Sequence, residues 1–70
     1  MSQKAKVITK RGSKRPEGYE EIQEIHLGAK GKGRQIGPSV TCWPWSYRSM
    51  EEAEKIICEI VNRYDLELTN

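Results

Sequence analysis

The apolar positions near the C-terminus recur at intervals of three and four residues, which is typical of one face of an α-helix. Ser49 stands three residues before Glu52 and is predicted to cap this helix in a capping box. Ion pairs Glu51–Lys55 and Glu59–Arg63 are expected on its exposed side. Such a helix needs another layer to pack against. The apolar positions are Met50, Ala53, Ile56, Ile57, Ile60, Val61 and Tyr64, with Cys58 at their margin as a half-buried thiol.

Upstream, the pattern changes to the alternation and β-branched composition of strands. Residues 4–11 predict a first strand that ends near Gly12. Residues 13–18 contain Pro and Gly and predict a turn with Lys14 and Arg15 at its tip. Residues 19–27 fit both a helical spacing and a strand alternation. We favour a strand, because the two runs flank a short turn.

The next segment is rich in glycine and basic residues. Residues 28–39 contain four glycines and three Lys or Arg, which predicts a flexible loop. Its glycine spacing is that of neither a Rossmann turn nor a phosphate-binding P-loop. Residues 40–43 predict a third short strand, which Pro44 must end or place at a sheet edge. Residues 65–69 alternate, so they predict either one more edge strand or the end of the helix.

Together these elements predict one small α+β domain over residues 1–70, in which a three-stranded antiparallel sheet packs against one C-terminal helix in the order β-β-β-α. Residues 1–4 and 69–70 are expected to fray, since they have no predicted partner. The layout is similar to that of sheet-reading DNA-binding domains such as integrase arm-binding domains. This resemblance lies in the order of the elements and includes no diagnostic residue.

The charge is distributed unevenly along a chain whose net charge is only +2. Residues 1–38 hold nine Lys or Arg against four Glu, whereas residues 39–70 hold three against six Asp or Glu. Basic segments of this kind are typical of proteins that bind a polyanion, and also of ordinary solvated surfaces.

The histidine and the two cysteines lack the spacing of a metal or catalytic site. His26, Cys42 and Cys58 lie sixteen positions apart, whereas structural zinc sites use close pairs. Neither cysteine is predicted at a position that would activate a thiol. We therefore expect reduced thiols, no metal, no cofactor and no enzymatic activity. The short apolar runs and the lack of a targeting segment favour a soluble, cytoplasmic protein with no membrane partner.

Residues 41–47, T-C-W-P-W-S-Y, contain three of the five aromatic residues of the chain. In a strand, Trp43 and Trp45 would share one side. A chain of 70 residues has little core volume, so we expect one indole to pack in the core and the other to be exposed, with Pro44 stiffening the segment.

Two classes of function fit these features. The first is a DNA- or RNA-binding module whose basic strands and loop contact phosphates while an exposed Trp stacks on a base. The second is a protein-interaction or inhibitor module, of the kind encoded by viruses and mobile elements, that docks on an acidic protein surface or forms a homodimer through the Trp-Pro-Trp edge. The residues predicted for nucleic-acid binding are Lys6, Lys10, Arg11, Lys14, Arg15, Lys30, Lys32, Arg34, Trp43, Trp45, Tyr47 and Arg48.

Overall fold

The structure is a computed structural model and describes residues 2–69. The strands form one sheet in the order β3-β2-β1-β4, in which β1 and β3 are antiparallel to β2, and β4 is parallel to β1. The predicted α+β class, with a C-terminal helix packed on a sheet, is confirmed. The predicted three-stranded antiparallel sheet is wrong, because the sheet has four strands and is mixed. The elements are β1 (Gln3–Arg15), β2 (Gly18–Leu27), β3 (Gln35–Cys42), α1 (Tyr47–Arg63) and β4 (Leu66–Leu68).

The fourth strand forms because the chain reverses sharply after the helix. Asp65 has a φ of 51°, in the left-handed region that Asp tolerates better than most residues. Its carbonyl accepts the N–H of Gln3 at 3.2 Å, and the N–H of Thr69 donates to the carbonyl of Ala5 at 2.9 Å. Leu66–Leu68 therefore form an edge strand, which is one of the two alternatives predicted for residues 65–69. They pair with Gln3 and Lys4, which were predicted to fray.

Alternate residues of the strands form one buried layer under α1. Ala5 and Ile25 are 0% exposed, and Ile25 pairs with Val7 on one side and Ile36 on the other. The helix contributes Ala53, Ile57 and Ile60 to this core, and Val40, Cys42 and Leu66 complete it. The remaining strand residues point away from the helix. We call this the open face, and it comprises Lys4, Lys6, Ile8 and Lys10 of β1, Glu20, Ile22, Glu24 and His26 of β2, and Glu67 of β4.

The helix begins earlier than predicted. Ser46 is the N-cap, and its hydroxyl accepts the N–H of Ser49 at 3.3 Å. The Ser49 hydroxyl instead accepts the N–H of Trp43 at 2.9 Å, so the predicted cap was wrong. The ion pair that forms along the helix is Arg48–Glu52 at 3.7 Å, in place of the two that were predicted.

Strands β1 and β2 form a hairpin longer than the helix that packs on it. Its thirteen-residue first strand spans roughly 40 Å and the seventeen-residue helix roughly 25 Å. The turn is shorter than predicted, since Lys14 still pairs with Tyr19 after a bulge that follows Arg11. The tip of the hairpin therefore extends past the helix.

The connection between β2 and β3 covers residues 28–34, because β3 begins inside the segment predicted as a loop. Gly31 has a φ of 68°, and a Cβ at this position would lie 2.8 Å from Cδ1 of Ile8 and 3.1 Å from Cβ of Lys6. Only a glycine allows so close an approach. The connection thus folds against the open face near the start of β1.

Candidate functional site

Both tryptophans are exposed at the hairpin end of the sheet. Trp43 is 45% exposed and Trp45 is 39% exposed, so the prediction that one indole packs in the core is wrong. The physical reason is that β3 ends at Cys42, and the smaller side chains of Val40 and Cys42 fill the core positions under the helix. The Trp-Pro-Trp segment follows the strand, where the hairpin has passed beyond the helix.

A carboxylate of β2 holds Trp43 in place. The indole Nε1 of Trp43 donates to Oε2 of Glu20 at 2.7 Å, and the guanidinium of Arg15 donates to the same oxygen at 3.4 Å. The hydrogen bond from Trp43, together with the charge and hydrogen bonds of Arg15, holds the pKa of Glu20 below its usual value. The carboxylate is therefore ionised at neutral pH, and it joins an aromatic ring to a basic side chain.

The second indole lies beside the first. Trp45 packs against the hairpin backbone, where a Cβ at Gly18 would be 3.7 Å from two carbons of its ring. Arg15, Glu17, Trp43 and Trp45 line a shallow depression of about 290 Å³, which we call the indole cleft. Its walls are two aromatic rings, and its charged groups have opposite signs.

A polar cluster occupies the middle of the open face. The carboxylate of Glu24 accepts hydrogen bonds from His26 Nε2 at 2.9 Å and Ser39 Oγ at 3.1 Å, and it pairs with Lys10 Nζ at 3.1 Å. These donors, of which His26 contributes most, lower the pKa of Glu24 to about 2. The cluster thus keeps a largely buried carboxylate charged.

His26 contacts both this cluster and the 28–34 connection between β2 and β3. Its Nδ1 lies 3.0 Å from the carbonyl oxygen of Gly33, so both ring nitrogens face acceptors. The hydrogen bond to Glu24, and next the carbonyl of Gly33, raise the pKa of His26. A doubly protonated imidazolium satisfies both acceptors at once. No role was predicted for His26, Glu20 or Glu24, because most of their partners, such as Trp43, Ser39 and Gly33, lie in other segments of the chain.

The structure brings part of the predicted basic set together. Lys6 and Lys10 lie on the open face, and Arg15 lies at its hairpin end beside Trp43. Gly31 places the 28–34 connection against the same face, next to Lys6. The exposed basic residues of that connection are Lys30, Lys32 and Arg34.

Four predicted residues lie elsewhere. Arg11 and Lys14 are on the helix-covered side of the sheet, 4.4 Å and 5.8 Å from the ring centre of Tyr19. Tyr47 and Arg48 form the start of the helix, and Tyr47 is 77% exposed. Tyr47 and Arg48 lie at the same end of the molecule as the indole cleft, but they are not part of the open face.

The basic connection and the indole cleft lie at opposite ends of the sheet. Strand β2 runs from Gly18, beside Trp45, to Leu27, which directly precedes the connection. Ten residues of strand span roughly 30 Å. A ligand must therefore be at least this long to contact both ends.

The two thiols and the imidazole do not converge. Cys42 is buried under the helix, Cys58 is exposed on the helix, where a half-buried thiol was predicted, and His26 lies on the opposite side of the sheet. Between residues 2 and 69, none of the helices has the length and apolar character required to cross a membrane.

Comparison of this chain with protein-family models, curated proteins and solved structures finds no significant match.

Proposed function

We propose that this protein is a non-enzymatic binding module that holds nucleic acid along the open face of its sheet. The observation that carries this proposal is the combination, on one face, of a row of basic side chains and an exposed, anchored indole. Lys6 and Lys10 lie along β1, and Trp43 is hydrogen-bonded to Glu20 at the hairpin end. Basic side chains bind the phosphates of nucleic acid, and aromatic rings stack on its bases. This face offers both kinds of contact.

The charge balance of this face supports a polyanionic ligand. With the 28–34 connection and Arg15, the face carries seven Lys or Arg and three Glu. Within residues 2–69, ion pairs engage Lys10 and Arg15, whereas Lys6, Lys32 and Arg34 remain available to phosphates. The helix on the other side carries Glu51, Glu52, Glu54 and Glu59, all exposed. The same helix also carries Arg48, Lys55 and Arg63, so its net charge is only −1. The positive charge is therefore concentrated on the open face, which favours the approach of a polyanion to that face.

The test is a binding titration with labelled single-stranded and duplex oligonucleotides long enough to span the open face. Affinity is expected to fall steeply with salt, and Lys6→Ala and Lys32→Ala should each lower the slope of log K against log salt by about 0.7 to 0.9. Lys55→Ala is the matched control, because Lys55 is an exposed residue of the helix. Absence of binding at low salt, or an equal effect of Lys55→Ala, would show that the open face is not the phosphate-binding surface.

A second candidate is a protein-interaction module, which the edge of β3 favours. This edge strand leads directly into the Trp-Pro-Trp segment. Met50 and Ile56 of the adjacent helix and Tyr64 at its C-cap are 42%, 40% and 47% exposed. An unpaired strand edge flanked by apolar side chains suits pairing with a second copy of the chain. Sedimentation over a wide concentration range tests this: Ile56→Asp should shift a dimer to monomer, and a strict wild-type monomer excludes self-association.

A further inference from the structure

We propose that the indole cleft binds one unpaired base and prefers guanine, an inference that rests on the proposed nucleic-acid function. The cleft is lined by Trp43, Trp45, Arg15 and Glu17. At about 290 Å³ it lies at the small end of the range of ligand pockets, which suits a single base better than a base pair.

The two rings are held before any ligand arrives. Trp43 is anchored through its N–H to Glu20 at 2.7 Å, and Trp45 packs against the backbone at Gly18. Pro44 between them restricts the backbone further. A base that stacks here therefore costs little side-chain ordering, and stacking on an aromatic ring is strong for any base.

Glu17 determines which part of the ligand enters. It is exposed in the hairpin turn and makes no ion pair within residues 2–69. A free carboxylate repels a phosphate and accepts N–H donors, so it favours the edge of a base over the backbone. Arg15 lies on the same cleft with its side chain 54% exposed, and its ion pair with Glu20 uses Nε and Nη2, so that Nη1 can contact the adjoining phosphate.

Guanine fits this carboxylate best. Its Watson–Crick edge presents two neighbouring donors, N1–H and N2–H, to the two oxygens of one carboxylate, whereas each other base presents donors from one position on that edge. In a duplex this edge is occupied by the pairing base. The ligand is therefore an unpaired guanine in a single strand or a loop.

Intrinsic fluorescence reports on this site directly, because the two tryptophans of the chain are the two walls of the cleft. We expect the pentamer TTGTT to quench emission with at least about fivefold higher affinity than TTATT, TTCTT or TTTTT at the same salt concentration. The same guanine paired within a duplex should quench no better than TTTTT.

Glu17→Gln should remove the guanine preference, so that TTGTT and TTTTT bind with equal affinity, while the loss of one negative charge raises the affinity for both. Glu21→Gln is the control of equal charge change, because Glu21 lies on the other side of β2, opposite Arg11. Thermal unfolding of both variants checks that each is folded. Equal affinity for all four pentamers, or a preference that survives Glu17→Gln, overturns the guanine site while salt-dependent binding preserves the proposed function. Failure of every oligonucleotide to bind at low salt overturns both.

Discussion

The hydrogen bond from Trp43 Nε1 to Glu20 Oε2, 2.7 Å long, joins the segment that follows β3 to β2, which lies between β1 and β3 in the sheet. It explains how a large apolar ring stays ordered while 45% of it is exposed. The same carboxylate receives Arg15 from β1, so three consecutive segments of the fold meet at one oxygen atom.

Trp43→Phe should lower the free energy of unfolding by about 1 kcal/mol, because it keeps an aromatic ring and removes the N–H donor. Urea unfolding followed by circular dichroism measures the change. Trp45→Phe is the control and should change stability by less, since Trp45 packs on Gly18 through ring carbons. Equal losses in the two variants would contradict the anchoring role of Glu20.

Ile25→Ala should lower the free energy of unfolding by about 2–5 kcal/mol, because Ile25 is fully buried between β1 and β3. A domain of this size has a net stability of roughly 3–5 kcal/mol, so the variant should be largely unfolded at room temperature. Ile25→Val gives a milder change of about 0.5–1.5 kcal/mol. Ile56→Ala, at a position 40% exposed, should cost less than Ile25→Ala.

Gly33→Ala should destabilise the protein by about 1–3 kcal/mol through steric overlap. A Cβ at Gly33 would lie 2.7 Å from the carbonyl oxygen of Leu27 and 2.9 Å from its Cβ, and backbone atoms must move to accept it. Lys32→Ala is the neighbouring control, since it shortens an exposed side chain. Thermal unfolding that is identical for the two variants would show that the connection adapts without strain.

His26 should make stability depend on pH above neutrality. Its pKa is raised above the ordinary value of 6.5 by Glu24 and by the Gly33 carbonyl, so the folded state holds the proton more tightly than the unfolded state. This stabilisation is complete below 6.5 and is lost as the pH rises through the folded-state pKa. The Tm of the wild type should fall from about pH 6 to about pH 9, and that of His26→Gln should fall less.

Glu24 should make stability depend on pH at acidic pH, where stability falls as the pH falls. Its pKa is lowered from 4.5 to about 2, so its contribution is present above 4.5 and is lost as the pH falls toward 2. Glu24→Gln should flatten the acid limb of a plot of Tm against pH. A wild-type profile that stays level between these two values would show that the carboxylate is not held by His26 and Lys10.

The elements with a regular pattern were predictable from the sequence, and the contacts between distant segments were not. The apolar spacing from Met50 to Tyr64 predicts the helix, and the short turn between two alternating runs predicts β2 as a strand. The strand β4 has three residues and forms only because β1 offers a free edge to it. The alternation of residues 65–69 fitted both an edge strand and a helix end, and it did not show with which strand they would pair.

In the candidate site, too, the residue types were predictable from the sequence and their contacts were not. Composition indicated that basic and aromatic residues were concentrated, but not which of them share a face. The bulge after Arg11 leaves Lys14 on the helix-covered side with Tyr19 and turns Arg15 toward Glu20. The exposure of both indoles depends on the hairpin being longer than the helix, which is a property of the assembled fold.

Because β4 lies beside β1, Gln3 and Leu68 are close together at the end of the sheet that carries Leu27 and the basic connection. The indole cleft is at the other end, roughly 30 Å away along β2. A purification tag, a fluorescent label or a surface tether attached at either terminus therefore leaves the cleft pointing away from the attachment. Immobilised protein can then present its tryptophans freely to a ligand in solution.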